Sequence, residues 1–280
     1  MRPLIINFCP TGMIPVKAVT GFVPISPTEI TEQVHQAYET GITIVHLHAR
    51  EKNGEASYSK NIYRDIFEGV RKHCPDLVIC ASTSGRVFNE FEYRSEVIEL
   101  MPDMCSLTLS SLNFSERASI NSPDTIQKLA EKMNDYGVKP ELECFDLGMI
   151  NYGKYLIRKK VIHPPFYWNF IFGNISGFQA SLSHIGTAVN ELTGNEHFIA
   201  FGGIGQSQLT ANAIAIANGF DVRVGLEDNI WFDREKSEKA TNLSLLERVH
   251  TLMRLHERKL FTSSEFGKSG FYNANTLARV

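Results

Sequence analysis

Eight short β-rich runs alternate with helical patterns along the 280 residues, and this alternation is the strongest constraint on the fold. The runs are Leu4 to Phe8, Thr43 to His48, Leu77 to Ser82, Met104 to Leu109, Glu141 to Phe145, Tyr167 to Phe172, Phe198 to Phe201 and Asp221 to Leu226. Gly, Pro, Ser, Asn or Asp bounds each run, as strand ends require. Ser26-Pro27-Thr28-Glu29 reads as a capping box with proline at the first helical position. Ile30, Val34, Ala37 and Tyr38 then form one apolar stripe, and Gly41 stops the helix. Ser122-Pro123 opens a second helix, with Ile126, Leu129, Ala130 and Met133 at helical spacing. Further helices are expected at Tyr58 to His73, Tyr93 to Leu100, Lys154 to Lys160, Gln179 to Leu192, Leu209 to Asn218 and Ala240 to Arg258.

Strands that alternate with helices pair in parallel through right-handed crossovers. Eight such units in a chain of this length match a closed (β/α)8 TIM barrel, which takes about 250 residues. An open doubly wound sheet is the competing architecture. The barrel is favoured because no GxGxxG follows the first strand and polar residues recur at strand C-terminal ends all along the series. No linker or composition shift divides the chain, so one barrel domain over residues 1–280 is expected. The pattern does not place the polar and aromatic tail from about Thr262.

Charge and hydropathy narrow the function classes. Lys plus Arg is 28 against 31 for Asp plus Glu, a net charge of −3 with no basic block, so no nucleic-acid partner is expected. No apolar run approaches the roughly 18 residues of a membrane helix. Met1 to Pro15 reads as a buried strand and its turn rather than a signal peptide. Cys9, Cys74, Cys80, Cys105 and Cys144 include no CxxC pair, and reduced core thiols of a cytoplasmic protein are expected.

The sharpest local signal is His46-Leu47-His48, near the end of the second strand. Side chains two apart on a strand share a face, so both imidazoles point into the mouth where barrel active sites lie. Two such imidazoles form half of a zinc site, or else a hydrogen-bonded pair in a polar core. On the eighth strand, Arg223, Gly225 and Glu227 share one face. Glu227 completes a His2Glu set with one open position, the catalytic arrangement for zinc. Gly225 is expected to leave space beside Arg223. The alternatives are a structural Arg–Glu pair and an Asp228 that only caps the next helix.

Weaker signals follow. Ser82-Thr83-Ser84-Gly85 offers hydroxyls and amides to an oxyanion, or is an ordinary turn. Glu141-Leu142-Glu143 places two carboxylates inside a barrel, where they need Arg223 or a metal as partners, unless they belong to a surface strand end. Gly202-Gly203-Ile204-Gly205 is equally a phosphate-binding loop or a turn. Asn169 is a candidate inward residue within the aromatic run Phe166 to Phe170.

Taken together, these residues resemble the β-keto acid cleavage enzymes, typified by 3-keto-5-aminohexanoate cleavage enzyme. The likeness runs from about Pro3 to Leu260 and keeps the motif order. It passes through Pro10-Thr11-Gly12, Ser26 to Ile30, His46 to Arg50, Ser82 to Gly85, Leu112-Asn113-Phe114, Pro140 to Glu143, Gly203-Ile204-Gly205 and Arg223 to Asn229. The resemblance implies a zinc-dependent (β/α)8 barrel, usually a homotetramer. Such an enzyme reacts a β-keto acid with acetyl-CoA to give acetoacetate and a new acyl-CoA. It assigns zinc to His46, His48 and Glu227, the general base to Asp228 with Arg223 beside it, and active-site positions to Ser82 and Glu143. Ser106 stands where the typical enzyme has threonine, so a hydroxyl is kept. Thr83, Gly85, Glu141 and Lys17 are expected to contact substrate. Where the aminohexanoate enzyme carries a first-loop glutamate this chain has Ile14, and a family arginine after the Gly-Ile-Gly turn is Gln206. The first loop carries Lys17 instead, so a keto acid with an anionic or neutral tail is expected rather than an amino one, and Gln206 weakens an anion site after the Gly-Ile-Gly turn.

Two other functions compete. A zinc hydrolase on the same barrel needs further His or Asp ligands at strand ends, and no further His stands at one. A non-catalytic binding barrel predicts no bound metal.

Overall fold

A computed structural model describes residues 2–194 and 196–280. Eight parallel strands close into a barrel: β1 (Ile6–Phe8), β2 (Ile44–Leu47), β3 (Val78–Ala81), β4 (Met104–Thr108), β5 (Lys139–Cys144), β6 (Phe166–Phe172), β7 (His197–Gly203) and β8 (Asp221–Val224). Neighbours in space are neighbours in sequence, and β8 returns to β1 with Asn7 opposite Arg223. All eight expected strands are present, each shifted by at most a few residues at its ends.

The helices form the outer ring. They are α1 (Pro27–Thr40), α2 (Lys60–His73), α3 (Phe91–Ser95), α4 (Pro123–Asp135), α5 (Leu147–Arg158), α6 (Leu182–Asn190), α7 (Ser207–Ala217) and α8 (Asn242–Leu255). The capping box of α1 is realised. Ser26 Oγ accepts from the Glu29 amide at 3.2 Å, and Glu29 Oε2 accepts from the Ser26 amide at 3.0 Å. Two helices differ from expectation. The turn after α3 continues as a 3-10 helix, Glu96–Leu100. Helix α5 starts seven residues before Lys154, because Asp146 caps it by accepting from the Met149 amide at 2.9 Å. Its glycines break the apolar spacing; a Cβ at Gly153 would lie 2.6 Å from the Trp168 ring, so glycine lets this helix press onto β6.

The barrel interior is layered. At the N-terminal end Ile5, Ile44, Val78, Met104, Tyr167 and Ala200 form an apolar cluster. The tail completes it. After the short helix α9 (Ser263–Phe266) and a π-helical turn (Gly267–Phe271), Phe266 and Phe271 stack at 4.1 Å and meet Tyr167 and Phe198 edge-on. The segment that sequence pattern left unplaced is thus the floor of the barrel. Main-chain bonds from Leu4 to Lys259 and from Phe261 to Leu4 tie it to β1. A polar layer lies above this floor, built from Asn7, His46, Cys80, Glu141, Asn169 and Arg223. Among the described residues no helix is long and apolar enough to cross a membrane.

Candidate active site

A cavity of about 480 Å³ opens at the C-terminal end of the strands, and its lining includes His46, His48, Ser82, Glu143, Glu227 and Asp228. His46 and His48 come from the end of β2, and both face inward, as alternation requires. Glu227 and Asp228 follow β8 in a turn closed by amides of Asp228 and Asn229 on the Gly225 carbonyl, each at 3.3 Å. Two glycines make this approach possible. Gly225 has φ +150°, and a Cβ there would lie 2.1 Å from the Cys9 carbonyl oxygen. A Cβ at Gly12 would lie 2.4 Å from Glu227 Cγ. The space expected beside Arg223 is left by Gly202, whose Cβ would sit 3.0 Å from Arg223 Cδ; Gly225 instead makes room for the main chain after β1.

The three expected ligands converge. His46 Nε2 lies 3.2 Å from His48 Nε2, and His48 Nε2 lies 3.1 Å from Glu227 Oε1. Their donor atoms all fall within 4.8 Å of one another. Glu141 Oε2 accepts from His46 Nδ1 at 2.6 Å, which orients the ring so that Nε2 faces His48. Glu227 Oε2 is buried without a hydrogen-bond partner among the described residues. Two imidazole nitrogens facing each other beside an orphaned carboxylate oxygen are satisfied by a shared cation, which would take the place of the Nε2 proton, so these residues fit a metal ion. Glu141 is itself held by Asn7 Nδ2 at 2.6 Å and Asn169 Nδ2 at 3.1 Å.

Electrostatics separate the acids. Burial alone would raise Glu227, but Arg223 and the two histidines outweigh it and hold its carboxyl well below the usual range. Burial, helped by the Glu141 charge, pushes Glu143 up to about 7. Burial also raises Asp228, against the pull of Arg223. Burial opposes charge on His46, yet Glu141 and Glu227 prevail and lift it to about 9. Arg223 is the hub. Its Nε donates to Asp228 Oδ2 at 2.7 Å, its Nη2 forms an ion pair with Glu227 Oε1 at 2.7 Å, and its Nη1 lies 3.7 Å from Glu143. Asp228 caps no helix, since Thr241 caps α8, so its carboxylate is free to face the cavity.

Other expected site residues have different places. Glu141 is fully buried and acts on His46 rather than on the cavity. Thr83 is buried and bridges to β4: its amide donates to Ser106 Oγ at 3.0 Å and its hydroxyl to the Ser106 carbonyl at 2.5 Å. Ser106 is 1% exposed and does not line the cavity. Gly85 is wedged where a Cβ would lie 2.4 Å from the Ile120 carbonyl. Lys17 turns outward to Glu29 at 2.7 Å, because α1 presents that carboxylate at its first turn. Ile14 does line the cavity. Of the Gly-rich loop after β7, the Ile204 and Gly205 amides are taken by the Phe172 and Asp228 carbonyls, both at 2.8 Å, so they are not free for a phosphate. Arg86, Thr108 and Trp231 line the cavity and were not singled out from sequence. Thr108 donates to Glu143 at 2.7 Å, and its position at the end of β4 is the signal that marks it.

Barrel, mouth cavity and metal-competent cage together define an enzyme of the TIM-barrel class. The family model described as beta-keto acid cleavage enzyme matches residues 3–268. The chain is 33% identical over 267 residues to a 3-keto-5-aminohexanoate cleavage enzyme of Fusobacterium nucleatum, covering 95% of this chain and 96% of that one. It is 32% identical to a 3-oxoadipate:acetyl-CoA acetyltransferase of Cupriavidus necator, covering 94% and 93%. Among solved structures, the binary complex of ObcA with oxaloacetate superposes with a TM-score of 0.73 at 18% identity, over 90% of this chain and 68% of that one, a likeness of fold. The chain therefore belongs to the beta-keto acid cleavage enzyme family, and it is an acyltransferase.

Proposed function

We propose that this chain is a zinc-dependent enzyme that exchanges acyl groups between a β-keto acid and acetyl-CoA, giving acetoacetate and a new acyl-CoA. The observation that carries the reading is the convergence of His46, His48 and Glu227 beside an Asp228 held by Arg223, all at one cavity. The relatives from Cupriavidus necator and, at 28% identity over 287 residues, Rhizobium meliloti are named for transfers with acetyl-CoA. Two nitrogens and one carboxylate oxygen with an open corner are the ligand set of catalytic zinc.

His46, His48 and Glu227 would hold the ion, which when bound supplies Lewis acidity to the ketone oxygen and acidifies the adjacent C–H. Asp228 Oδ takes a proton from the carbon between ketone and carboxylate, its basicity sharpened by burial. Arg223 fixes that carboxylate through Nε and keeps it aimed. The deprotonated carbon attacks the acetyl thioester and expels the CoA thiolate. The thiolate then attacks the original ketone, the old C–C bond breaks, and Asp228 returns its proton to the acetoacetate carbanion. In this reading Ser82, at the cavity wall, donates to the oxyanions of these steps, and Ser106, off the cavity, holds the next residue through the Thr83 amide. Glu143, raised toward neutrality, provides a carboxyl that can carry a proton near neutral pH.

The same reading takes the chain as one barrel domain whose tail is its floor, a homotetramer, and cytoplasmic. All five cysteines are buried and unpaired, as suits a reducing compartment. Ile14 in the cavity wall and the absence of Lys17 from it favour a keto acid with a neutral tail. The test is a screen of β-keto acids with acetyl-CoA, reading acetoacetate. Wild type is expected to turn over at least one neutral-tailed acid, and Asp228→Asn to lose about 10²-fold or more in kcat with its zinc retained. Full activity in that variant rejects the assigned base.

A further inference from the structure

Arg86 follows the turn after β3, and its main chain is built into the barrel mouth. Its amide donates to Ser84 Oγ at 3.3 Å. Tyr58 donates its hydroxyl to the Ser84 carbonyl at 2.7 Å, and the Ile120 amide donates to the Gly85 carbonyl at 3.2 Å. Arg94 staples the same turn through Nε to the Thr83 carbonyl at 2.8 Å and Nη1 to the Ile120 carbonyl at 3.1 Å. The Arg86 side chain is positioned by aromatics. Its guanidinium lies 3.8 Å over the Phe114 ring, and Phe114 meets Phe145 edge-on at 5.7 Å. Arg86, Phe114 and Phe145 all line the cavity.

What this guanidinium lacks is a partner. Nε is buried and without a hydrogen bond, and among the described residues no carboxylate lies within salt-bridge distance of Arg86. The other arginines of this end are engaged by carbonyls or carboxylates, with Arg223 Nη1, like Arg86 Nε, buried without a hydrogen bond but within 4.0 Å of two carboxylates. Arg50 bonds the Gly12, Pro15 and Gly54 carbonyls, Arg94 is spent as above, and Arg223 is divided among four carboxylates. A partly buried cation held rigidly with idle donors costs free energy that an anion would recover. Its planar fork matches a carboxylate or phosphate in two parallel bonds.

We infer that Arg86 binds an oxyanion of the substrates, a two-oxygen face supplied by the keto acid carboxylate or by a phosphate of coenzyme A. The inference rests on the acyl-exchange reading for the identity of the ligands, and on the geometry of Arg86 for the site. Arg86 orients a substrate and takes no part in proton transfer.

The experiment compares wild type with Arg86→Met and Arg86→Gln. Isothermal titration with acetoacetate and with coenzyme A separates the two sources, and steady-state KM for each substrate is measured alongside. One of the two ligands is expected to bind about 10- to 100-fold more weakly in both variants. KM for the same substrate rises in step while kcat falls less, and the ligand that weakens identifies the source. Equal affinities in wild type and the folded variants, or no binding of either ligand to wild type, overturn the inference. Wild-type turnover is read separately. An Arg86-dependent affinity in a protein without acetoacetate production keeps this inference and rejects the acyl-exchange reading, and normal turnover with unchanged affinities does the reverse.

Discussion

Glu141 shows how far a single side chain can act from the substrate. It is sealed from solvent, takes two bonds from Asn7 and Asn169, and fixes the tautomer of His46 through a 2.6 Å contact. Glu141→Gln keeps the shape and removes the charge, so zinc affinity is expected to fall about 10- to 100-fold, measured by competition with a chromophoric chelator. Unchanged affinity would mean that His46 needs no such orientation. His46→Ala combined with His48→Ala removes two of the three proposed ligands, and elemental analysis of the purified protein should find zinc far below one equivalent; undiminished zinc overturns the ligand set. The histidines were legible because HxH on a strand permits only one face; Glu227 reaches the same place from a turn beyond the end of β8, so strand alternation pointed to it for a reason the structure does not keep. Arg86 was not legible. Nothing in one sequence marks an arginine whose partners are missing, since that property appears only when every neighbouring carboxylate has been placed.

At the scale of elements, the eight strands were readable because both their faces are buried and their ends carry turn residues. The register of α5 was not, because Gly148 and Gly153 interrupt its apolar stripe and its cap, Asp146, is separated from the end of β5 by Phe145 alone. The tail was unreadable for a different reason. Its aromatics do not line one face of a regular helix; they pack from a π-helical turn into the end of the barrel. Phe266→Ala opens a cavity between Phe271, Phe198 and Tyr167 and should cost about 3–5 kcal/mol of stability, read from the urea midpoint. Zinc content at 25 °C should be unchanged, because the ligands stand at the opposite end of the strands. Loss of metal in a variant still folded would show that floor and mouth are coupled.

The molecule as a whole combines a buried charge cluster at one end with surface pairs around the ring. Glu29 joins the first loop to α1 through Lys17, and that hydrogen bond lowers its pKa from 4.5 to about 2. A carboxyl depressed in the folded state stabilises above its unfolded pKa and loses that effect as pH falls through the folded value. Wild type should therefore exceed Glu29→Gln in stability at pH 6, and the gap should close between pH 4.5 and about 2. Both side chains are more than a third exposed, so screening limits the gap to about 1 kcal/mol or less. Urea titrations of the two proteins at pH 6 and pH 2.5 decide it; a gap as large at pH 2.5 as at pH 6 means that the carboxyl is not depressed.

Phe266 and Phe271 stop the barrel like a cork, and that governs traffic. In an enzyme working as proposed, the small acid must settle first, deep against the cage, before the long thioester follows it through the same doorway. Departure reverses the queue: the bulky acyl carrier has to back out before acetoacetate can leave.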